Sequence, residues 1–74
     1  MSRPPSIEKM RDTYDAVSGY YEEHGYMPTL REIAGILGLS TASAVYQRLA
    51  RLAEDGCIVV EYRRPRTIKL VRRP

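Results

Sequence analysis

"TLREIAGILGLSTASAVYQRLARLAEDG", Thr29 to Gly56, is the stretch on which the fold turns. It opens on a capping box: the Thr29 hydroxyl can accept from the Glu32 amide while the Glu32 carboxylate reaches back to the Thr29 amide, marking a helix start. Leu30, Ile33, Ala34 and Leu37 then share one helical face until Gly38 breaks it. Gly35 inside this short helix costs about 1 kcal/mol relative to alanine, so tertiary packing must hold the element. Only "GLST" separates it from a further helix, which Ser40 or Thr41 can cap and which runs to about Asp55, with Gly56 as its stop. Two helices joined by a short turn with a glycine are the helix-turn-helix signature.

Outward from this unit, the chain predicts one more helix before it and two strands after it. Ser6 is the N-cap of the first helix, whose stripe is Ile7, Met10, Tyr14, Val17 and Tyr21; Gly25 ends it as a left-handed cap. Ahead of it "SRPPS" is poor ground for regular structure, because Pro4 and Pro5 lack amide donors, and residues 1–5 are expected to be disordered. Beyond Gly56 the period changes to alternation. Ile58, Val60 and Tyr62 lie on one side of "CIVVEY", and Ile68 and Leu70 on one side of "TIKLV" with Lys69 on the other. "RRPR" falls between them at hairpin length, gathering Arg63, Arg64 and Arg66 at a tip, residues 63–66, that Pro65 stiffens. The fold class is mainly α with a small β-hairpin, a three-helix winged helix-turn-helix occupying residues 1–74 as one domain.

Seventy-four residues bury only about 60% of their unfolded surface, too little for a deep catalytic cleft. No apolar run approaches the roughly 18 residues of a membrane helix. "MSRPPSIEKMRD" carries no apolar core or small-residue cleavage site, so a cytoplasmic protein without a secretory signal is expected. With a single cysteine, Cys57, and a single histidine, His24, neither a disulfide nor a metal site is expected, and Cys57 reads as a small buried hydrophobe. Neither a cofactor nor a small-molecule ligand is expected. Charge is unevenly placed: residues 1–62 hold six Lys/Arg against nine Asp/Glu, a balance of −3, whereas residues 63–74 hold six basic residues and no acid. Such a block suits a polyanion by Coulomb attraction and counterion release, or is simply a solvated tail.

The third helix presents two faces. Val45, Leu49 and Leu52, flanked by Ala42 and Ala53, form the core stripe. Opposite them stand Ser43, Gln47, Ala50 and Glu54, with Thr41 and Ala44 near the N-terminus and Tyr46 at the border. The front of that face is small and uncharged, as a helix seated in a major groove needs if side chains are to reach base edges. Gln47 can pair with adenine through both amide atoms; Ser43 and Thr41 can serve a base or a phosphate. Solvent exposure alone also accounts for Ser43 and Gln47. Tyr46 is either a lid over the core or a groove contact. Arg48 and Arg51 flank the helix and can meet phosphates or form internal salt bridges.

Taken together, "GYMPTLREIAGILGLSTASAVYQRLARLAEDGCI" and "RPRTIKL" resemble the N-terminal DNA-binding domain of LexA, the repressor of the bacterial SOS response, over about residues 7–71. The resemblance implies that the third helix enters the major groove, that the wing approaches backbone and minor groove, and that base-contacting positions fall on Thr41, Ser43, Ala44, Tyr46 and Gln47. It departs from the family's best-known version, which has asparagine at Ser43 and acids at Tyr46 and Gln47; the serine and the basic wing are more similar to the Gram-positive branch. LexA proteins also continue into a dimerising domain that cuts itself with a serine and a lysine, and neither Lys9 nor Lys69 is placed for that chemistry. The expectation is an excised domain or a stand-alone protein of phage or mobile-element origin.

The function expected is a sequence-specific double-stranded DNA-binding regulator, a repressor at the bacterial nucleoid. Ser43, Ala44, Tyr46 and Gln47 read bases, Thr41 and Arg48 fix phosphates, and Arg63, Arg64 and Arg66 clamp backbone or minor groove. One domain covers a single half-site, so a homodimer on DNA or a protein partner is expected to supply the second. The alternative is a protein-binding winged-helix module that pairs with a repressor or polymerase through its tyrosines, which are all six of its aromatics. An enzyme is not expected, because no paired carboxylates, triad around His24 or phosphate-cradling glycine loop can be argued.

Overall fold

The computed structural model describes residues 6–61, 63–64 and 66–74. The expected disorder of residues 1–5, and the roles given to Tyr62 and Pro65, lie outside the described residues. Three helices, α1 (Ile7–His24), α2 (Leu30–Leu37) and α3 (Ala42–Glu54), precede two short antiparallel strands, β1 (Ile58–Val59) and β2 (Lys69–Leu70). This is the winged helix-turn-helix that the sequence predicts.

Each helix starts where a side-chain oxygen can satisfy an orphan amide. Ser6 accepts from the Lys9 amide, Thr41 from the Ala44 amide, and Thr29 and Glu32 form both halves of the capping box. Gly25 and Gly38 close α1 and α2 at φ of 79° and 69°, in the left-handed region where a Cβ is disfavoured. At the turn, the Leu39 amide donates to the Ala34 carbonyl at 2.9 Å, which pulls the chain sharply into α3.

The core is where the three helices and the hairpin meet. Met10 and Val17 of α1, Ile33 and Ala34 of α2, and Val45, Leu49 and Leu52 of α3 are buried together with Cys57, Ile58 and Ile68. Tyr14, Leu30, Leu37, Val60 and Leu70 pack around that centre. Three residues placed on apolar stripes fall outside it: Ile7 and Tyr21, at the two ends of α1, and Ala42, at the first turn of α3, are exposed. Helical spacing gives a face but not the length over which a neighbour covers it. Thr13 takes the space between Met10 and Val17, fully buried, with its hydroxyl donating to the Lys9 carbonyl at 2.8 Å.

The hairpin is shorter than its alternating pattern. Ile58 pairs with Leu70 and Val59 with Lys69, and then the ladder stops. At one end the Val71 and Arg72 amides both turn to the Cys57 carbonyl, at 2.8 and 3.1 Å. At the other, the Thr67 hydroxyl lies 2.6 Å from the Glu61 carbonyl oxygen and 2.9 Å from that of Arg64, tying the loop's two arms by a side chain. Alternation still sets the faces, with Ile58 and Ile68 inward and Val59 and Lys69 outward.

Leu49 sits at the centre of this packing, and its truncation to alanine should destabilise the domain by about 2–5 kcal/mol, a large part of the stability of so small a chain. Gly35 is the opposite case: a Cβ added there meets no atom within 4 Å, so Gly35→Ala should stabilise by up to about 1 kcal/mol. Urea midpoints of the two variants, read by circular dichroism, should move in opposite directions.

Candidate nucleic-acid interface

Burying Val45, Leu49 and Leu52 leaves the far side of α3 to solvent, and the residues there are the ones the helical projection picks out. Ser43 and Gln47 are exposed, Tyr46 is 48% exposed, and Ala44 is half-buried. Ala42, Ser43, Tyr46 and Gln47 line an open groove whose other wall is Leu30 of α2. Thr41 stands at the head of the helix. Its hydroxyl oxygen accepts from the Ala44 amide at 3.3 Å, which leaves the hydroxyl proton able to donate to a phosphate.

Leu30 also lines a second concavity, formed between the start of α2 (Pro28, Thr29) and the wing (Val60, Glu61, Arg63, Arg64, Arg66, Thr67, Ile68). The two grooves therefore adjoin at one residue. The uncharged face of α3 and the arginine-bearing hairpin belong to a continuous surface that runs across the first turn of α2.

The arginines on this surface do different things. Arg63 and Arg64 are exposed, and among the described residues their side chains take no hydrogen bond or ion pair. Arg66, expected with them at the tip, is turned inward instead. Its backbone adopts φ of 61°, a left-handed conformation that costs an L-residue roughly 1–2 kcal/mol. From there its guanidinium meets the Glu32 carboxylate at 2.8 Å, donates to the Met27 carbonyl at 3.0 Å and lies over the Tyr26 ring, 4.7 Å from its centre. Tyr20 joins the same group, its hydroxyl donating to Glu32 Oε2 at 2.7 Å. Sequence reasoning found Glu32 only as half of a capping box; nothing in local spacing connects it to a residue 34 positions away.

Other cations are likewise occupied. Arg51 pairs with Asp55 at 3.3 Å, the internal alternative. Arg48 donates to the buried Thr13 hydroxyl at 3.4 Å, a contact from α3 to α1. Arg72 donates to the Asp55 carbonyl at 2.7 Å, satisfying an orphan carbonyl at the end of α3. Arg73 forms a two-pronged contact with Asp15 at 2.9 and 2.8 Å, which holds that carboxyl below its usual pKa. Of the six basic residues in the last dozen, Arg66 and Arg73 are ion-paired within the domain and Arg72 is held by a carbonyl, while Arg63, Arg64 and Lys69 are exposed on the hairpin.

Among the described residues, no helix is long and apolar enough to cross a membrane, and no group of three or more His, Cys, Asp or Glu side chains could hold a metal ion. A three-helix domain with a polar helix face beside a basic hairpin is a nucleic-acid-binding winged helix by architecture. Comparison with known proteins makes this specific. The family model for the LexA DNA binding domain matches residues 7–67. The LexA repressor of Clostridium novyi is 36% identical over 74 residues, covering 100% of this chain and 36% of the relative. That of Koribacter versatilis is 33% identical over 64 residues, covering 86% and 30%, and that of Clostridium botulinum strain Hall is 35% identical over 65 residues, covering 88% and 32%. The chain belongs to the LexA DNA-binding domain family, and it spans about a third of the length of these relatives.

The Glu32 cluster generates a pH dependence. The Tyr20 hydroxyl, then the Thr29 amide and Arg66, favour the carboxylate and lower its pKa from 4.5 to about 2. A pKa depressed by folding contributes stability that is complete above 4.5 and is lost as pH falls through about 2. Thermal midpoints of the wild-type chain and Glu32→Gln, followed from neutral pH to pH 2, should differ most at neutral pH and converge on acidification, because only the wild type has that carboxylate to protonate.

Proposed function

We propose that this chain is the DNA-reading part of a transcriptional repressor: it binds double-stranded DNA in a sequence-specific way, with α3 in the major groove and the wing on the backbone or minor groove. The observation that carries this is the junction at Leu30, where the uncharged face of α3 and the arginine wing form one surface. A groove-facing helix must offer hydrogen-bonding groups without placing an acid against phosphate; Ser43, Tyr46 and Gln47 supply such groups, and Ala44 a methyl for apolar contact with a base. Thr41 and Arg48 are assigned to phosphates, the first through its hydroxyl proton, the second through the guanidinium N–H groups other than the one that donates to Thr13. Arg63 and Arg64 clamp the backbone or minor groove. Arg66 contributes from behind them, since its guanidinium is already engaged.

The name shared by its relatives, LexA repressor, supports repression as the outcome of binding. Family resemblance supports a role in the bacterial SOS response, exercised in the cytoplasm at the nucleoid. Binding, not catalysis, is the task, as befits a family defined as a DNA-binding domain. One domain reads one half-site, so tight repression calls for a second arm, from another copy of this chain or from a protein partner, on a palindromic operator.

Use as a protein-docking module is less well supported. Of the tyrosines that were to anchor a partner, Tyr14 packs against the core and Tyr20 is bound to Glu32.

Selection from a random duplex pool with the purified chain at low salt should enrich a palindrome. Absence of enrichment, or equal binding of winner and scrambled control, would refute sequence-specific recognition. On the selected duplex, Arg63→Ala with Arg64→Ala should weaken binding to every sequence and flatten the plot of log affinity against log salt by about 2, one for each phosphate contact. Gln47→Ala should instead relax preference at one base pair by about 1–3 kcal/mol and leave the salt slope intact.

A further inference from the structure

Glu32 raises a problem for any DNA-binding role, because it is an acid in contact with Thr29 and Arg66, two residues that line the concavity between α2 and the wing. Taken alone, its charge repels phosphate. Its contacts give it another task. One oxygen accepts from the Thr29 amide at 2.8 Å and meets Arg66 at the same distance; the other accepts from Tyr20 at 2.7 Å and from Arg66 at 3.3 Å. A single carboxylate thus joins α1 through Tyr20, the start of α2 through Thr29, and the wing through Arg66.

The base of the hairpin is held by Ile58 and Ile68 in the core, with Val60 and Leu70 packed around them. Its ladder is only two residue pairs long, and beyond it Thr67 ties the loop to itself through the Glu61 and Arg64 carbonyls. Packing on the helices fixes the base of a two-stranded hairpin, whereas the direction of the loop beyond so short a ladder depends on what that loop touches. Arg66 is the loop residue that reaches across, held at positive φ, to Glu32, the Met27 carbonyl and the Tyr26 ring. Arg63 and Arg64 precede it in the same loop, and so their position relative to α3 depends on where Arg66 is anchored.

We propose that the Glu32–Arg66 pair is a latch that fixes the wing against the helix-turn-helix, so that Glu32 and Arg66 act as positioning residues that promote DNA binding without contacting DNA. This rests on the DNA-binding role proposed above. It makes a prediction opposite in sign to simple electrostatics. Removing a negative charge beside DNA should tighten binding, whereas removing the latch should weaken it.

The test uses the 74-residue chain and the duplex recovered by selection, with a scrambled duplex as control. Glu32→Gln should weaken binding to both duplexes by about tenfold at moderate salt, the loss expected when about two phosphate contacts go. It should also lower the backbone ¹⁵N order parameters of Arg63, Arg64 and Arg66 in the free protein. Arg66→Met should do the same, and Arg66→Lys should restore part of the loss, since a lysine can still pair with one carboxylate oxygen. In the Glu32→Gln background, adding Arg63→Ala and Arg64→Ala should cost little more, because those contacts are already gone. Thr29→Ala separates the latch from the helix cap, because it removes the hydroxyl half of the capping box and leaves the carboxylate in place; it should lower the thermal midpoint with little effect on DNA affinity.

Equal or tighter binding by a folded Glu32→Gln chain, or unchanged wing order parameters, would overturn the latch. If Arg63→Ala with Arg64→Ala left binding unchanged, the wing's contact with DNA would itself be refuted and the positioning role with it. In that case the order parameters would still report whether the pair orders the hairpin.

Discussion

Burial of the Val45, Leu49 and Leu52 stripe is the constraint on which the rest of the molecule depends. Helix α3 packs against α1, α2 and β1 at once, and all three stripe residues are fully excluded from water. The apolar surface they remove is the main driving force available to so small a chain. Rotation of α3 about its axis would expose that stripe, so its outward face is fixed as firmly as its inward one. Ser43, Tyr46 and Gln47 are exposed because their neighbours on the helix cannot be.

Charge follows a comparable division between holding the fold and facing a partner. Arg66, Arg72 and Arg73 reach back to Glu32, the Asp55 carbonyl and Asp15, while Arg63, Arg64 and Lys69 remain outward. The exposed pair Arg73–Asp15 contributes little to stability, since ion pairs half in water are worth about 0–1 kcal/mol. Its effect is directional: with Arg11 donating to the Pro74 carbonyl at 3.1 Å, it lays residues 71–74 along α1.

Glu32 shows how one side chain can serve two levels of structure. As the N3 residue of α2 it closes a capping box, a local interaction within four residues of sequence. Its remaining lone pairs accept from Tyr20 and Arg66, which belong to the first helix and the wing. A carboxylate has about four acceptor positions, and here they are shared among three elements.

Much of this was legible in the chain itself. Capping residues, glycine stops and the two hydrophobic periods are local properties of the backbone and its neighbours, so the three helices, the turn at Gly38, the hairpin and the solvent face of α3 follow from sequence. The same holds for the inward positions Ile58 and Ile68, which alternation alone identifies. What required the tertiary structure was everything depending on residues far apart in the chain. Arg63, Arg64 and Arg66 are chemically alike and close in sequence, yet the left-handed backbone at Arg66 and the position of Glu32 separate one from the other two. Thr13 is ordinary in a helix pattern and becomes a buried acceptor for Arg48 only because α1 and α3 cross there. Periodicity assigns a side chain to a face; only packing decides what that face meets, because the partners come from elements whose separation in sequence carries no information about their separation in space.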